Sequence, residues 1–236
     1  MRIFTILCLL LVPSLSQAEH IDNISFTIKP DCSMKKYLSL VDEFRANPTV
    51  QKHGYKVKIL SPIASSNMTI NWWEGTTKTL DDYLNFVSDM RKKIQTAGSP
   101  ENKLMAKFNQ CITNHTRATH DEPFEIDVSN ASHLDVWGIK IRDNCSLQEW
   151  VALSGEFNDI VKPLGMKGNI KAPIITPDIN GYYWVNYANS HSALQSAQAK
   201  FDSGSVVEGS KFQKIQQKVN ECIYATSRET FTIIDK

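Results

Sequence analysis

The segment DCSMKKYLSLVDEF, residues 31–44, returns as NCSLQEWVALSGEF, residues 144–157, at an offset of 113 and without a gap. Both copies open on Cys-Ser and close on Glu-Phe. Further pairs follow in the same order. GYKVKILSPI (54–63) stands against GMKGNIKAPI (165–174), INWWEG (70–75) against YYWVNY (182–187), FNQCI against VNECI, and FEIDV (124–128) against FTIID (231–235). Each match is short, but their common order, with two cysteines in register, marks an internal duplication. Copies of this length are duplicated domains rather than a solenoid.

Hydrophobic period gives the elements of one copy. Ile24, Phe26 and Ile28 alternate with polar neighbours and predict a strand, and Met34, Leu38, Val41 and Phe44 follow helical spacing. Tyr55, Val57 and Ile59 predict a second strand, 68–73 a third, and Leu80, Leu84 and Val87 a helix. Ser99-Pro100 starts a further helical piece carried by Leu104, Phe108 and Ile112. Phe124, Ile126 and Val128 predict the last strand, and the second copy repeats the order, with the box Ser146-x-x-Glu149 opening its first helix. The result is α+β: two tandem ferredoxin-like βαββαβ units.

The N-terminus reads MRIFTILCLLLVPSLSQAEH. Its short apolar run and the small residues Ser16 and Ala18 predict a secretory signal peptide over 1–18, cut near Ala18. The run is too short to span a bilayer. The expected division is then unit 1 over 19–128, a linker at 129–134 and unit 2 over 135–236, exported to the periplasm or secreted. Four cysteines remain after cleavage, Cys32, Cys111, Cys145 and Cys222. In a ferredoxin-like unit the first helix starts beside the end of the last. That pairs Cys32 with Cys111 and Cys145 with Cys222, one disulfide per unit. Five Asn-x-Ser/Thr sequons, at Asn23, Asn67, Asn114, Asn130 and Asn144, are expected to carry no glycan behind a signal of bacterial type.

Two such units in one chain resemble the dimeric α+β-barrel superfamily. It includes monooxygenase-like proteins and the chlorite dismutase-like and dye-decolorising peroxidase-like haem proteins. The resemblance implies a pseudo-dimeric monomer whose two sheets pair face to face, and it carries no family motif. Strand faces turned from the helices would then line an inter-sheet space, or else face water. Lys58, Asn71, Trp73, Glu125, Lys140, Arg142, Lys171 and Tyr183 are the candidate ligand-binding residues of that lining.

Recognisable catalytic patterns are missing. There is no Gly-x-Ser-x-Gly elbow, phosphate-cradling loop or His-Glu-x-x-His. The group His115, His120, Asp121 and Glu122 reads as a polar loop rather than a metal site, and His191 is the least poor axial ligand for a haem. With 26 basic and 25 acidic residues mixed along the chain, nothing marks nucleic acid or an anionic membrane as a partner. The expectation is an exported, non-catalytic protein, without cofactor or metal, that binds a small polar or aromatic ligand or a partner between its sheets. A monooxygenase-like or haem-dependent enzyme is one alternative, and a structural or interaction protein with no pocket is the other.

Overall fold

The computed structural model describes residues 19–123, 126–175 and 181–235, with the side chains of 173–175 excepted. The signal segment and Glu125 lie outside them. In chain order the first unit runs β1 (His20–Ile28), α1 (Met34–Arg45), α2 (Pro48–Lys52), β2 (Lys56–Ala64), β3 (Asn71–Thr77), α3 (Leu80–Gln95), α4 (Pro100–Cys111) and β4 (Ile112–Asp121). The second runs β5 (His133–Ile141), α5 (Leu147–Val161), β6 (Lys167–Ile175), β7 (Tyr182–Ala188), α6 (His191–Ser205), α7 (Lys211–Cys222) and β8 (Ile223–Asp235). This is the duplicated βαββαβ order, with each second helix in two pieces.

Local chemistry sets the helix starts. The Ser33, Thr79, Ser99 and Ser210 side chains each accept a backbone N–H of the turn they cap. Ser146 and Glu149 complete a reciprocal capping box. The helices bury apolar stripes on one side of the sheet. Tyr37, Val41, Phe44, Phe86, Leu104 and Phe108 form the core of unit 1 with strand residues Phe26, Val57 and Ile59. Trp150, Ile170, Trp184 and Phe201 do the same for unit 2.

All eight strands close into one antiparallel barrel in the order β1-β3-β2-β8-β5-β7-β6-β4. The units join at two seams, β2 with β8 and β4 with β6. The choice between sheets that pair and sheets that face water is therefore decided for a closed barrel. An inner cluster of Leu60, Leu134, Val185, Tyr187, Phe231 and Ile233, drawn from both units, fills part of it.

The two predicted disulfides are present. Cys32–Cys111 and Cys145–Cys222 have Cα–Cα distances of 5.0 and 5.1 Å and tie the start of α1 to the end of α4 and of α5 to the end of α7. They close loops of 79 and 77 residues. Each contributes about 4 kcal/mol in the chain-entropy account.

One strand falls earlier than expected. The last strand of unit 1 is β4, which follows α4 without a loop, and 126–128 is not strand. His115, His120 and Asp121 therefore stand on a strand rather than in a polar loop. The first half of β4 is exposed and polar on both faces, which erases the alternation that would have revealed it. Likewise β8 begins at Ile223, well ahead of the matched FTIID segment, and runs through a polar stretch.

Candidate functional site

Between the sheet and helices of unit 1 lies a chamber of about 390 Å³. Strand β1 supplies Ile24 and Phe26, α1 Tyr37 and Phe44, β3 Trp73, α3 Phe86, Val87 and Met90, and α4 Met105 and Phe108. The wall is apolar and largely aromatic, with Tyr55 and Phe86 stacked at 4.2 Å between ring centroids.

One corner of the chamber is polar. Asp22, 1% exposed, points to the helix side of β1. It accepts two hydrogen bonds from Arg117 at 2.8 Å, one from the Tyr55 hydroxyl at 2.7 Å and a longer one from Tyr83 at 3.4 Å. Trp73 Nε1 donates to the Tyr55 oxygen at 3.0 Å. Burial and then the Asp22 charge push the Tyr55 hydroxyl well above its ordinary range and the Tyr83 hydroxyl up to about 12. Burial works against the Arg117 charge, but its bonds to Asp22 outweigh that and hold it above its ordinary value. Both phenols thus remain protonated donors at neutral pH, and Arg117, about half exposed, brings a fixed positive charge to the chamber's edge.

Gly75 makes room for this corner. A Cβ there would stand 1.8 Å from the Tyr55 hydroxyl.

Unit 2 repeats the corner. Asp135, 0% exposed, accepts from Arg228 at 3.0 and 3.1 Å, from Trp137 Nε1 at 2.7 Å and from Thr230 at 3.2 Å. The sequence reading passed over both pairs. Their signal was in the repeat: His20-Ile-Asp22 stands against His133-Leu-Asp135, and Arg117-Ala-Thr119 against Arg228-Glu-Thr230.

The barrel interior holds a second polar group. Glu74 of β3 pairs with Lys171 of β6 and, at 3.5 Å, with Lys58 of β2. Lys171 also stands 4.0 Å from Glu122, whose other oxygen accepts from Asn169 at 2.8 Å. Asn23 donates to His120 Nδ1 at 3.2 Å. Burial alone would raise Glu74, but Lys171 and then Lys58 hold it down at about 2. Glu122, left further from a cation, is pushed by burial up to about 7. Burial and the nearby Lys171 drive His120 down to about 3, so it is neutral at physiological pH.

Of the candidate ligand-binding residues, Lys58, Lys171 and Tyr183 meet inside the barrel, with the Tyr183 ring edge-on to His120 at 5.4 Å. Asn71 and Trp73 do not. The register Ile24↔Trp73↔Ile59 turns Trp73 to the helix side, and Asn71 shares that face two residues away. Trp72 and Glu74 point inward in their place. Adjacent tryptophans carry no period, and the Tyr55 hydroxyl that satisfies Trp73 Nε1 is what selects the face. Lys140 is exposed at the strand end, and Arg142 donates to the Asn220 carbonyl at 2.9 Å, capping the end of α7.

None of the six histidines lines a sheet–helix chamber in either unit. His191 instead faces His133 at 5.9 Å, at the rim of unit 2. His53 bonds Asp89 at 3.0 Å on the surface. Among the described residues no group of three or more His, Cys, Asp and Glu is set for a metal ion.

No family model matches the sequence, and no curated protein matches it. Solved structures do. A candidate monooxygenase from Lactobacillus acidophilus NCFM superposes with a TM-score of 0.53 at 10% identity, covering 92% of this chain and 93% of that one. A mutant chlorite dismutase from Candidatus Nitrospira defluvii gives 0.52 at 10% identity, over 91% and 90%. An anthrone oxidase-like protein gives 0.50 at 10% identity, over 92% and 92%. The chain therefore has the dimeric α+β-barrel fold, both units in one polypeptide.

These neighbours overturn the expectation that no cofactor is involved, since chlorite dismutase-like proteins belong to the haem proteins of this fold. Neither chamber is lined by an imidazole or a free thiolate; the Tyr55 hydroxyl is committed to Asp22, and the buried Tyr37 hydroxyl is the phenol of the unit 1 lining left without a hydrogen-bond partner. Among the described residues no helix is long and apolar enough to cross a membrane.

Proposed function

We propose that this protein binds a small, mostly apolar aromatic molecule carrying one hydroxyl or carboxylate, in the sheet–helix chamber of unit 1. The carrying observation is the chamber itself: about 390 Å³, largely aromatic-walled, with a few polar groups in its lining, Asp22, Arg91 and Arg117 among them. Its volume lies within the range of about 300–1,000 Å³ of small-molecule sites, and its pattern of apolar wall and few convergent polar groups is theirs too. The ring lies against Phe44, Phe86 and Phe108, and the polar substituent meets Arg117. The protein acts after export, with residues 1–18 removed.

Titration of the mature protein with 1-naphthol and with 2-naphthoate, read by calorimetry, tests this. Saturable binding is expected for at least one, lost in Val87→Phe, which fills the chamber from its half-buried rim. Absence of binding by both, or unchanged binding in V87F, overturns the assignment. N-terminal sequencing of protein recovered from a bacterial periplasm is expected to start at Glu19; retention in the cytoplasm with Met1 intact overturns export.

A second reading is catalytic, favoured by the neighbours named as a candidate monooxygenase and as anthrone oxidase-like. Oxygen consumption with anthrone, abolished by V87F, would move the assignment from binding to turnover.

A further inference from the structure

Unit 2 has its own sheet–helix chamber, of about 180 Å³. It lies at the place in unit 2 that the larger chamber occupies in unit 1. Phe44 and Phe157, Trp73 and Trp184, and Ile112 and Ile223 occupy matching places in the two units and line the two cavities, strand register setting Trp73, one residue on from the sequence match, against Trp184. The differences are directional. Met90 is replaced by Phe201, which fills space, while Val87 and Met105 are replaced by Gln198 and Gln216. Unit 1 brings Asp22, Arg91 and Arg117 to its chamber; no charged side chain lines that of unit 2.

The decisive residue is Trp150, the counterpart of Tyr37. It is 2% exposed and lines the chamber, and its indole Nε1 has no hydrogen-bond partner. An indole N–H can only donate, and a buried donor left unmade costs about 1–3 kcal/mol. The two other tryptophans of this chamber are satisfied, Trp184 by Asn186 at 2.8 Å and Trp137 by Asp135 at 2.7 Å. The Gln198 and Gln216 amide nitrogens are held by Asp202 and Asn220, each at 2.8 Å.

We propose that the unit 2 chamber is a second binding site, specific for a small neutral molecule whose hydrogen-bond acceptor takes the Trp150 indole N–H. The ligand is smaller than that of unit 1, and it is neutral because the lining holds no charge to compensate one. The duplicated chambers thus divide two ligand classes, a charged or acidic aromatic in unit 1 and a compact neutral acceptor in unit 2.

A matched pair of probes tests this on the full mature chain carrying V87F, which closes the unit 1 chamber. 4-Fluoroacetophenone has the acceptor and 4-fluoroethylbenzene has nearly the same shape without it, and ¹⁹F NMR follows both. The ketone is expected to bind at least tenfold more tightly than the hydrocarbon. Trp150→Phe should remove that preference, bringing the two probes to within about twofold of each other. Equal affinity for the two probes, no binding of either, or an unaltered ketone preference in W150F overturns the proposal. If W150F does not fold, Gln198→Phe serves instead, blocking the chamber from its half-buried rim. It should abolish ketone binding, and retained binding overturns the proposal. Because V87F removes the unit 1 site, failure here leaves the proposal for unit 1 standing, and the converse.

Discussion

Glu74 and Lys171 belong to different copies of the repeat, 97 residues apart, and form an ion pair inside the closed barrel with side chains 1% and 6% exposed. The pair spans the two units at a point where neither carries a disulfide. Lys171→Met leaves Glu74 only the longer contact to Lys58 at 3.5 Å. Breaking one partner of a buried pair costs about 3–5 kcal/mol. Urea unfolding should show that loss in K171M. The double variant Glu74→Leu/Lys171→Met should recover most of it, because the charge then without its partner, Lys58, is a quarter exposed to water rather than buried. A double variant as unstable as the single would mean that the pair itself, rather than the stranded charge, stabilises the barrel.

The duplication, the helix starts and both disulfides were legible because they are local or symmetric. Ser33 and Ser146 cap helices from within their own turns, and Cys32 and Cys145 each recur with a partner at a fixed spacing. Closure was expected from the resemblance to the dimeric α+β-barrel superfamily, not from any local pattern. It depends on β2 meeting β8 and β4 meeting β6, and no local pattern reports which edge pairs with which. The face of Trp73 was misread because its neighbour is also Trp. The polar corner was hidden because Asp22 and Arg117 are 95 residues apart, and each alone reads as a surface charge.

Glu122 makes stability depend on pH in a defined direction. Its carboxyl is raised from 4.5 to about 7, first by burial, with the charge of Glu74 adding to it. A raised acid favours the fold fully below about pH 4.5, and that contribution is lost as pH rises through about 7. The loss is on the order of 3 kcal/mol. His120 runs the other way: lowered to about 3, it favours the fold above about pH 6.5 and loses that contribution as pH falls. The wild-type profile therefore partly cancels, and the variant separates the two. The stability of Glu122→Gln relative to wild type should climb between pH 4.5 and 8 in urea titrations. A constant difference across that window would place the Glu122 titration elsewhere.

Gly75 controls the polar corner through space alone. A methyl group at this position would overlap the Tyr55 hydroxyl and push the ring out of its bonds to Asp22 and Trp73. Overpacking of this kind costs about 1–3 kcal/mol. Gly75→Ala should lose that much, and Gly75→Ala/Tyr55→Phe should be no more stable, because the ring carbon Cζ would still stand 2.2 Å from the new methyl and the bonds of the hydroxyl to Asp22 and Trp73 are lost as well. Thermal unfolding of the two variants checks the order. If G75A is as stable as wild type, Tyr55 has another place to go and the corner is looser than its hydrogen bonds indicate.

Asp22 and Asp135 are equivalent in structure and unequal in expected function. Each is buried under a half-exposed arginine, Arg117 and Arg228 with side chains 48% and 45% exposed. Replacing either aspartate by asparagine removes the charge that holds its arginine and leaves an amide unable to accept the whole donor set. A fully buried pair would lose about 3–5 kcal/mol; water reaching the arginine should reduce this to roughly 2 kcal/mol in both variants. Binding should separate them. Asp22 lines the unit 1 chamber, whereas Asp135 does not line that of unit 2. Asp22→Asn should therefore weaken naphthol or naphthoate binding by tenfold or more, while Asp135→Asn leaves it unchanged at an equal stability cost. Calorimetry of both variants, well below their unfolding midpoints, reads the difference. Equal loss of affinity in the two would mean that binding follows global stability and that the corner has no direct part in holding the ligand.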